Sequence, residues 1–230
     1  MALSCVLTDI EGTTSAIAFV KETLFPFAEA ELDAFLDAHE EEPEVAAVMA
    51  EVREIASQQE PRSTLRMWMA EDAKVTPLKT LQGLIWRAGY LDGRLTSHLY
   101  PDVPPCLRAW SKAGLRLAVY SSGSVAAQKL LFGHTGAGDL TPLFAGFFDT
   151  KVGGKREAAS YATIAAGLYL PATTILFLSD IAEELDAAAA VGLQTCQLVR
   201  EADGTQATDR HAWEPDFPGV ARRFGLPVPG

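Results

Sequence analysis

The sequence predicts an α/β fold, with a Rossmann-like parallel sheet as its core and a helical cap subdomain inserted into it. Three observations point that way. Apolar runs of strand length recur along the chain and alternate with single helix-like stretches, the pattern of parallel strands joined by crossovers. The longer early runs break into polar residues at their carboxyl ends, where open α/β sheets bind ligands. Between the first two strands lie about a hundred residues of helical periodicity, by far the longest connection.

The first strand is the apolar run Cys5-Val6-Leu7-Thr8, which breaks into Asp9-Ile10-Glu11-Gly12-Thr13-Thr14. Two carboxylates at the edge of a buried strand are costly unless a cation, a proton transfer or hydrogen bonds compensate them. Gly12 permits a sharp turn, and Thr13 and Thr14 are expected to offer hydroxyls and exposed amides beside the acids. Four more strands follow. Residues 115–120 run into Ser121-Ser122-Gly123-Ser124, residues 146–150 end in polar groups, residues 174–178 run into Ser179-Asp180, and residues 194–200 form the last. Pattern and breaker residues place helices near 124–133, 155–167 and 182–191.

Inside the long connection, residues 22–39 and 43–58 show helical periodicity with acidic faces, and 63–69 and 77–86 read as further helical pieces. The chain returns through Leu99-Tyr100-Pro101-Asp102 into a core helix that starts near Leu107. The expected domains are a discontinuous core of residues 1–20 and 99–230 and a cap of residues 21–98. A cap in that position suits a lid that excludes water and selects substrate. After Arg200 the chain is rich in Gly, Asp and Pro, and residues 224–230 read as an extended tail without a catalytic role.

With 230 residues, 48% of them hydrophobic, the chain can bury a substantial core. Its 19 Lys+Arg against 30 Asp+Glu give a net charge of −11, which argues against nucleic acid or an anionic membrane surface as partner. A small phosphorylated molecule stays possible, because one lysine and a few amides can make a local positive pocket. Cys5, Cys106 and Cys196 form neither a CxxC pair nor a disulfide framework. No basic leader and no apolar run of membrane-spanning length is visible, so a cytoplasmic protein is expected.

Groups at the strand ends can be read as one set. Asp9 is a candidate metal ligand or nucleophile, Glu11 could bring its carboxylate or its backbone carbonyl, and Asp180 could supply another hard oxygen. Such donors favour Mg²⁺, and no Cys/His cluster competes. Lys155 follows Gly153-Gly154 at an expected helix start, bringing positive charge on flexible backbone. Ser121, Ser122 and the amides around Gly123 precede a helix and could cradle phosphate oxygens. Together these groups can divide the labour of phosphoryl transfer through a carboxylate nucleophile. Each has a bland rival: an acidic turn, a helix cap, an exposed lysine. Glu183, Glu184 and Asp186 read as a solvated first helical turn, His39, His98, His134 and His211 as surface or structural residues, and Met67-Trp68-Met69 as packing between cap helices. The order and placement of the set lift it above those rivals.

The four clusters resemble the motifs of the haloacid dehalogenase superfamily of phosphatases, with Glu11 where most members carry a second Asp. The longer stretches Asp9-Ile10-Glu11-Gly12-Thr13-Thr14-Ser15, Tyr120-Ser121-Ser122-Gly123-Ser124-Val125, Gln128-Lys129-Leu130-Leu131-Phe132-Gly133-His134 and Phe148-Asp149-Thr150-Lys151 look like the enolase-phosphatase (acireductone synthase) family. The resemblance implies a Mg²⁺-dependent phosphoric monoester hydrolase of methionine salvage. Its substrate would be 2,3-diketo-5-methylthiopentyl-1-phosphate, enolised and then dephosphorylated to 1,2-dihydroxy-3-keto-5-methylthiopentene. Asp9 would be nucleophile and metal ligand, Glu11 a ligand through its carbonyl, and Asp180 the remaining protein ligand. Ser121, Ser122, Gly123 and Lys155 would hold the substrate phosphate, and Asp9, Glu11 and Lys155 would form the catalytic group. A monomer with one Mg²⁺ is implied; the base for enolisation is not, and Glu11 and cap groups are both candidates. Two other hypotheses are a related Mg²⁺ phosphatase or phosphonatase acting on another metabolite, and a receiver-like Mg²⁺-binding protein without turnover.

Overall fold

In the computed structural model, which describes residues 2–229, the chain divides into two compact units: residues up to Ile17 with Ser97 onward, and Ala18–Thr96. In chain order the elements are β1 (Cys5–Thr8), α1 (Ile17–Phe19), a π-helical turn (Val20–Leu24), α2 (Phe25–His39), α3 (Pro43–Ile55), α4 (Pro61–Ala70) and α5 (Thr76–Leu91). There follow α6 (Val103–Lys112), β2 (Arg116–Tyr120), α7 (Val125–Gly133), β3 (Phe144–Phe148), α8 (Ala158–Gly167), β4 (Ile175–Ser179), α9 (Ala182–Ala190), β5 (Gln194–Leu198), β6 (Trp213–Glu214) and α10 (Phe217–Phe224).

The sheet is parallel throughout, in the order β3-β2-β1-β4-β5-β6. Strand β1 lies between β2 and β4, so the chain reverses its direction of winding there, and a crevice opens beyond the carboxyl ends at such a switch point. Thr8 is level with Val119 on one side and Leu178 on the other. The residues just past these positions, Asp9, Ser121 and Asp180, therefore emerge together at one edge. Cys5, Leu7, Ala118, Tyr120, Ile175 and Phe177 share one face by the two-residue period of strands. There they pack with Tyr161 and Ile164 of α8 and Leu185 and Ala188 of α9. All three cysteines are buried and free, and burial pushes each thiol up to about 12, leaving inert packing groups.

Beyond Arg200 the structure holds a strand and a helix that the composition does not announce. β6 pairs with β5 through Gln197 and Leu198, and α10 buries Phe217, Val220 and Ala221. Phe217 stacks on Trp110 with ring centroids 5.2 Å apart. Phe224 still belongs to α10, and residues 226–229 are irregular but anchored: Leu226 is buried and Trp110 Nε1 donates to the Pro227 carbonyl at 3.0 Å. Four buried apolar residues, Phe217, Val220, Ala221 and Leu226, are too few to show a period over thirty residues, which is why composition misleads here.

The helical unit has its own apolar core, built from Ala28, Leu32 and Leu36 of α2, Val45, Val48, Met49 and Val52 of α3, Leu65 and Trp68 of α4, and Leu78, Leu81 and Ile85 of α5. Prolines in the first turns of α3 to α5 help start these helices, because proline lacks the amide hydrogen that would be orphaned there. Trp68 packs in this core, as expected, while Met67 turns outward. No helix among the described residues is long and apolar enough to cross a membrane.

Candidate active site

Gly12 makes the turn after β1 possible. Its φ of +68° suits glycine, and a Cβ there would sit 2.5 Å from Asp180 Oδ2. The Asp180 carboxylate thus packs directly against the loop that carries Asp9 and Glu11. Thr13 and Thr14 do not face solvent, contrary to expectation; both are fully buried. Their amides donate to the Ile10 carbonyl, Thr14 Oγ1 to the Asp9 and Ile10 carbonyls, and Thr13 Oγ1 accepts from the Asp180 amide at 3.1 Å. The two hydroxyls hold the loop's shape rather than greet a ligand.

Asp9, Glu11, Ser121, Ser122, Lys155 and Asp180 line one cavity of about 400 Å³, together with Ile17, Thr150, Arg156, Ile181 and Glu184. Gly123 is not part of that lining. Its amide donates to Ser121 Oγ at 3.4 Å and its carbonyl accepts from Gln128 Nε2 at 2.8 Å. Gln128 Nε2 also donates to the Phe148 carbonyl at 2.8 Å, tying the serine loop to β3. The start of α7 is largely capped by the protein itself: Ser124 Oγ accepts from Ala127 and Asp149 Oδ2 from Val125, at 3.2 Å each. A phosphate at this edge would therefore meet the two serines and the cations more than the helix terminus.

Lys155 precedes α8 by three residues instead of starting it, and its glycines are fixed instead of flexible. Tyr120 and Ser160 donate to the carbonyls of Gly153 and Gly154, and Tyr161 to that of Lys155, at 2.7 to 2.9 Å. Gly153 has φ +130°, and a Cβ there would lie 2.3 Å from Ser160 Oγ. This pinned turn delivers Nζ to Asp9 Oδ1 and to Glu184 Oε2, each at 2.7 Å. Burial works against the ammonium, but Asp9 and Glu184 outweigh it and hold the lysine well above its ordinary pKa.

Glu184 is the residue that sequence reasoning missed. Of the three acids in the first part of α9, Glu183 and Asp186 reach solvent, where they pair with Arg210. Glu184 is buried, accepting from Ser179 Oγ at 2.9 Å as well as from Lys155. The signal was helical phase: residue 184 shares the buried stripe of Ala187 and Ala188. Burial and the charge of Asp9 push Glu184 up to about 7 against the pull of Lys155. Burial and the charges of Asp9 and Glu184 likewise raise Asp180 to about 7. Three buried carboxylates thus face one buried ammonium, an excess of negative charge that a cation or protons must offset. Among the described residues, no group of three or more His, Cys, Asp or Glu side chains is placed to hold a metal ion.

Comparison with known proteins places the chain in a family. Residues 3–192 match the family model of the haloacid dehalogenase-like hydrolases. An enolase-phosphatase E1 of Gluconobacter oxydans is 55% identical over 97% of this chain and 98% of its own length. One from Pseudomonas aeruginosa is 53% identical over 87% of this chain and 92% of its own. Among solved structures, the UTR4 protein of Saccharomyces cerevisiae aligns with a TM-score of 0.80 and 33% identity, over 93% of this chain and 98% of that one. A 2-haloacid dehalogenase of Pseudomonas syringae shares the fold, with a TM-score of 0.61 at 18% identity over 97% of this chain and 98% of that one. The chain belongs to the haloacid dehalogenase-like hydrolases and, within them, to the enolase-phosphatase E1 family.

Proposed function

We propose that this protein converts 2,3-diketo-5-methylthiopentyl-1-phosphate to 1,2-dihydroxy-3-keto-5-methylthiopentene and phosphate, with Asp9 as nucleophile and one Mg²⁺ held by Asp9, Asp180 and the Glu11 carbonyl. The observation that carries this reading is that Asp9, Ser121 and Asp180, from three adjacent strand ends, meet Glu184 and Lys155 around one cavity. The donor set suits Mg²⁺, which takes one or two carboxylates plus water and substrate phosphate in place of an all-protein cage. The excess of buried carboxylate over lysine is the electrostatic reason for a cation there. When bound, the ion would offset charge on phosphoryl and substrate oxygens.

The residues have separable tasks. Lys155 bonds Asp9 Oδ1, which orients the carboxylate for attack. Asp9 attacks phosphorus, the bond from phosphorus to the substrate oxygen breaks, and an aspartyl-phosphate forms. The departing oxygen takes a proton from a neighbouring carboxyl, for which Glu11 is the candidate. Water then attacks phosphorus, giving up its proton to that same group, and inorganic phosphate leaves with Asp9 regenerated. Ser121, Ser122 and Lys155 supply donors for the phosphoryl oxygens, and Arg156 adds a cation on the cavity wall. Residues 18–96 are proposed as the cap that excludes water and selects the substrate.

Phosphate release and enol absorbance should be followed together on the diketo phosphate and on a panel of simple phosphate esters. Both signals should appear with the diketo phosphate, vanish in excess EDTA and return with Mg²⁺. Phosphate from the simple esters alone would replace the proposed substrate. Undiminished turnover in EDTA would remove the metal, and silence on every substrate would favour a Mg²⁺-binding protein without turnover.

A further inference from the structure

We propose that Arg200, clamped by Asp102, is a positioning residue that sets the spacing of the Mg²⁺ ligands. It deepens the Mg²⁺ assignment above and rests on it. Arg200 lies just past β5, outside the residues matched by the hydrolase family model, and does not line the cavity. Yet it is 5% exposed, and all five of its N–H donors are engaged. Nε and Nη2 donate to the Thr13 carbonyl at 3.2 and 2.9 Å. Nη1 and Nη2 donate to the two oxygens of Asp102 at 3.0 Å each, and Nη1 also to the Pro215 carbonyl at 3.2 Å. The guanidinium lies over the Tyr100 ring at 4.2 Å, with the Phe217 ring at 5.7 Å.

The direction of the clamp matters. Thr13 sits two residues past Glu11, and its hydroxyl accepts from the amide of Asp180. Gln197, on β5, donates to the carbonyl of the same Asp180 at 2.9 Å. One strut therefore links β5 to both the β1 loop and the β4 end, the two segments that bear the proposed ligands. The close approach of Gly12 to the Asp180 carboxylate leaves little slack between them. A buried cation would be expensive for simple packing, and the planar fork is what matches one carbonyl and one carboxylate at once. Lysine would keep the charge, but with three donors and no planar fork it cannot reproduce the five contacts. Partners that orient metal ligands typically change metal affinity by about 10- to 100-fold when altered.

The test is Mg²⁺ binding by isothermal titration calorimetry, on the full chain without substrate, at a temperature where circular dichroism shows each variant folded. Arg200→Lys should weaken Mg²⁺ by at least about tenfold. The milder Asp102→Glu should weaken it less and serves if Arg200→Lys does not fold. At saturating Mg²⁺ the kcat of both should recover toward wild type, while at limiting Mg²⁺ it falls. Variants that melt earlier but bind Mg²⁺ as tightly as wild type would overturn the inference and leave Arg200 a packing residue. A wild-type chain that binds no Mg²⁺ would overturn the metal assignment itself, and the clamp with it.

Discussion

The two units of this chain differ in where they place charge. In the helical unit the core is apolar and the ion pairs lie outside: Arg66 with Asp33, Arg62 with Asp37 and Glu40, Arg94 with Glu31 and Asp92. The sheet unit has exposed pairs too, such as Arg210 with Glu183 and Asp186, but it alone of the two also buries some: Lys155 with Asp9 and Glu184, Arg200 with Asp102. Exposed pairs contribute little because water and salt screen them, whereas a buried pair is costly to desolvate and is disrupted strongly when one partner is lost. A fold does not need that second expense. The sheet unit carries it because strand ends at a topological switch point gather groups for chemistry, and their mutual strain is the condition for binding something that relieves it.

The sharpest way to break the comparison is Asp9→Asn. In a packing pair the change would unfold the protein; in a strained, over-acidic pocket it should remove function and leave the fold. Phosphate release should drop at least about 1,000-fold, as expected when a nucleophile is replaced by a neutral amide. The melting temperature of the chelated protein should not fall, because Lys155 keeps Glu184 while the charge that raises both Asp180 and Glu184 is gone. A calorimetric scan beside a phosphate assay checks both. Wild-type turnover would remove Asp9 as nucleophile, and loss of the fold would make the pocket a structural centre.

A second effect, smaller and of defined sign, concerns pH. Asp180 and Glu184 are raised to about 7 in the folded chain from ordinary values of 3.8 and 4.5. Between roughly pH 4 and 7 the folded state therefore holds protons that the unfolded state has released, so stability falls as pH rises through that window. The slope is on the order of 1 kcal/mol per pH unit for each group at most. In EDTA the melting temperature should be higher at pH 5 than at pH 7.5. Saturating Mg²⁺ should flatten the difference by favouring the ionised carboxylates, and Glu184→Gln should reduce it. A chelated protein that melts higher at pH 7.5 would contradict the strained-pocket account.

Much of the sheet unit was legible because buried parallel strands write themselves as apolar runs, and a run that ends in Asp9, Ser121 or Asp180 marks its own ligand edge. The convergence of these with Lys155 followed from topology alone. Glu184 was hidden because an acid in the first turn of a helix has a sufficient reason to be there, the helix dipole, and only the phase of α9 shows that this one turns inward. Arg200 was hidden for a different reason. Its partners Asp102, Thr13 and Pro215 are scattered in sequence, and nothing local distinguishes a buried arginine from a solvated one at a strand end. Thr13 and Thr14 misled because hydroxyls beside acids invite a ligand, yet the tight turn at Gly12 consumes them.

The least effect should come from the helical unit's surface. Asp33 and Arg66 are each about half exposed, at 51% and 48% of their side chains. Asp33→Asn removes the charge with almost no change of shape. If exposed pairs are worth what their solvation implies, stability should change by less than about 0.5 kcal/mol, and 0.5 M salt should erase even that. Steady-state kinetics should be unchanged, since nothing in the sheet unit's cavity is altered. A loss above about 1 kcal/mol that survives salt would mean that the α2–α4 pairs hold the helical unit together. The contrast drawn between the two units would then rest on where the charges lie and no longer on what they contribute.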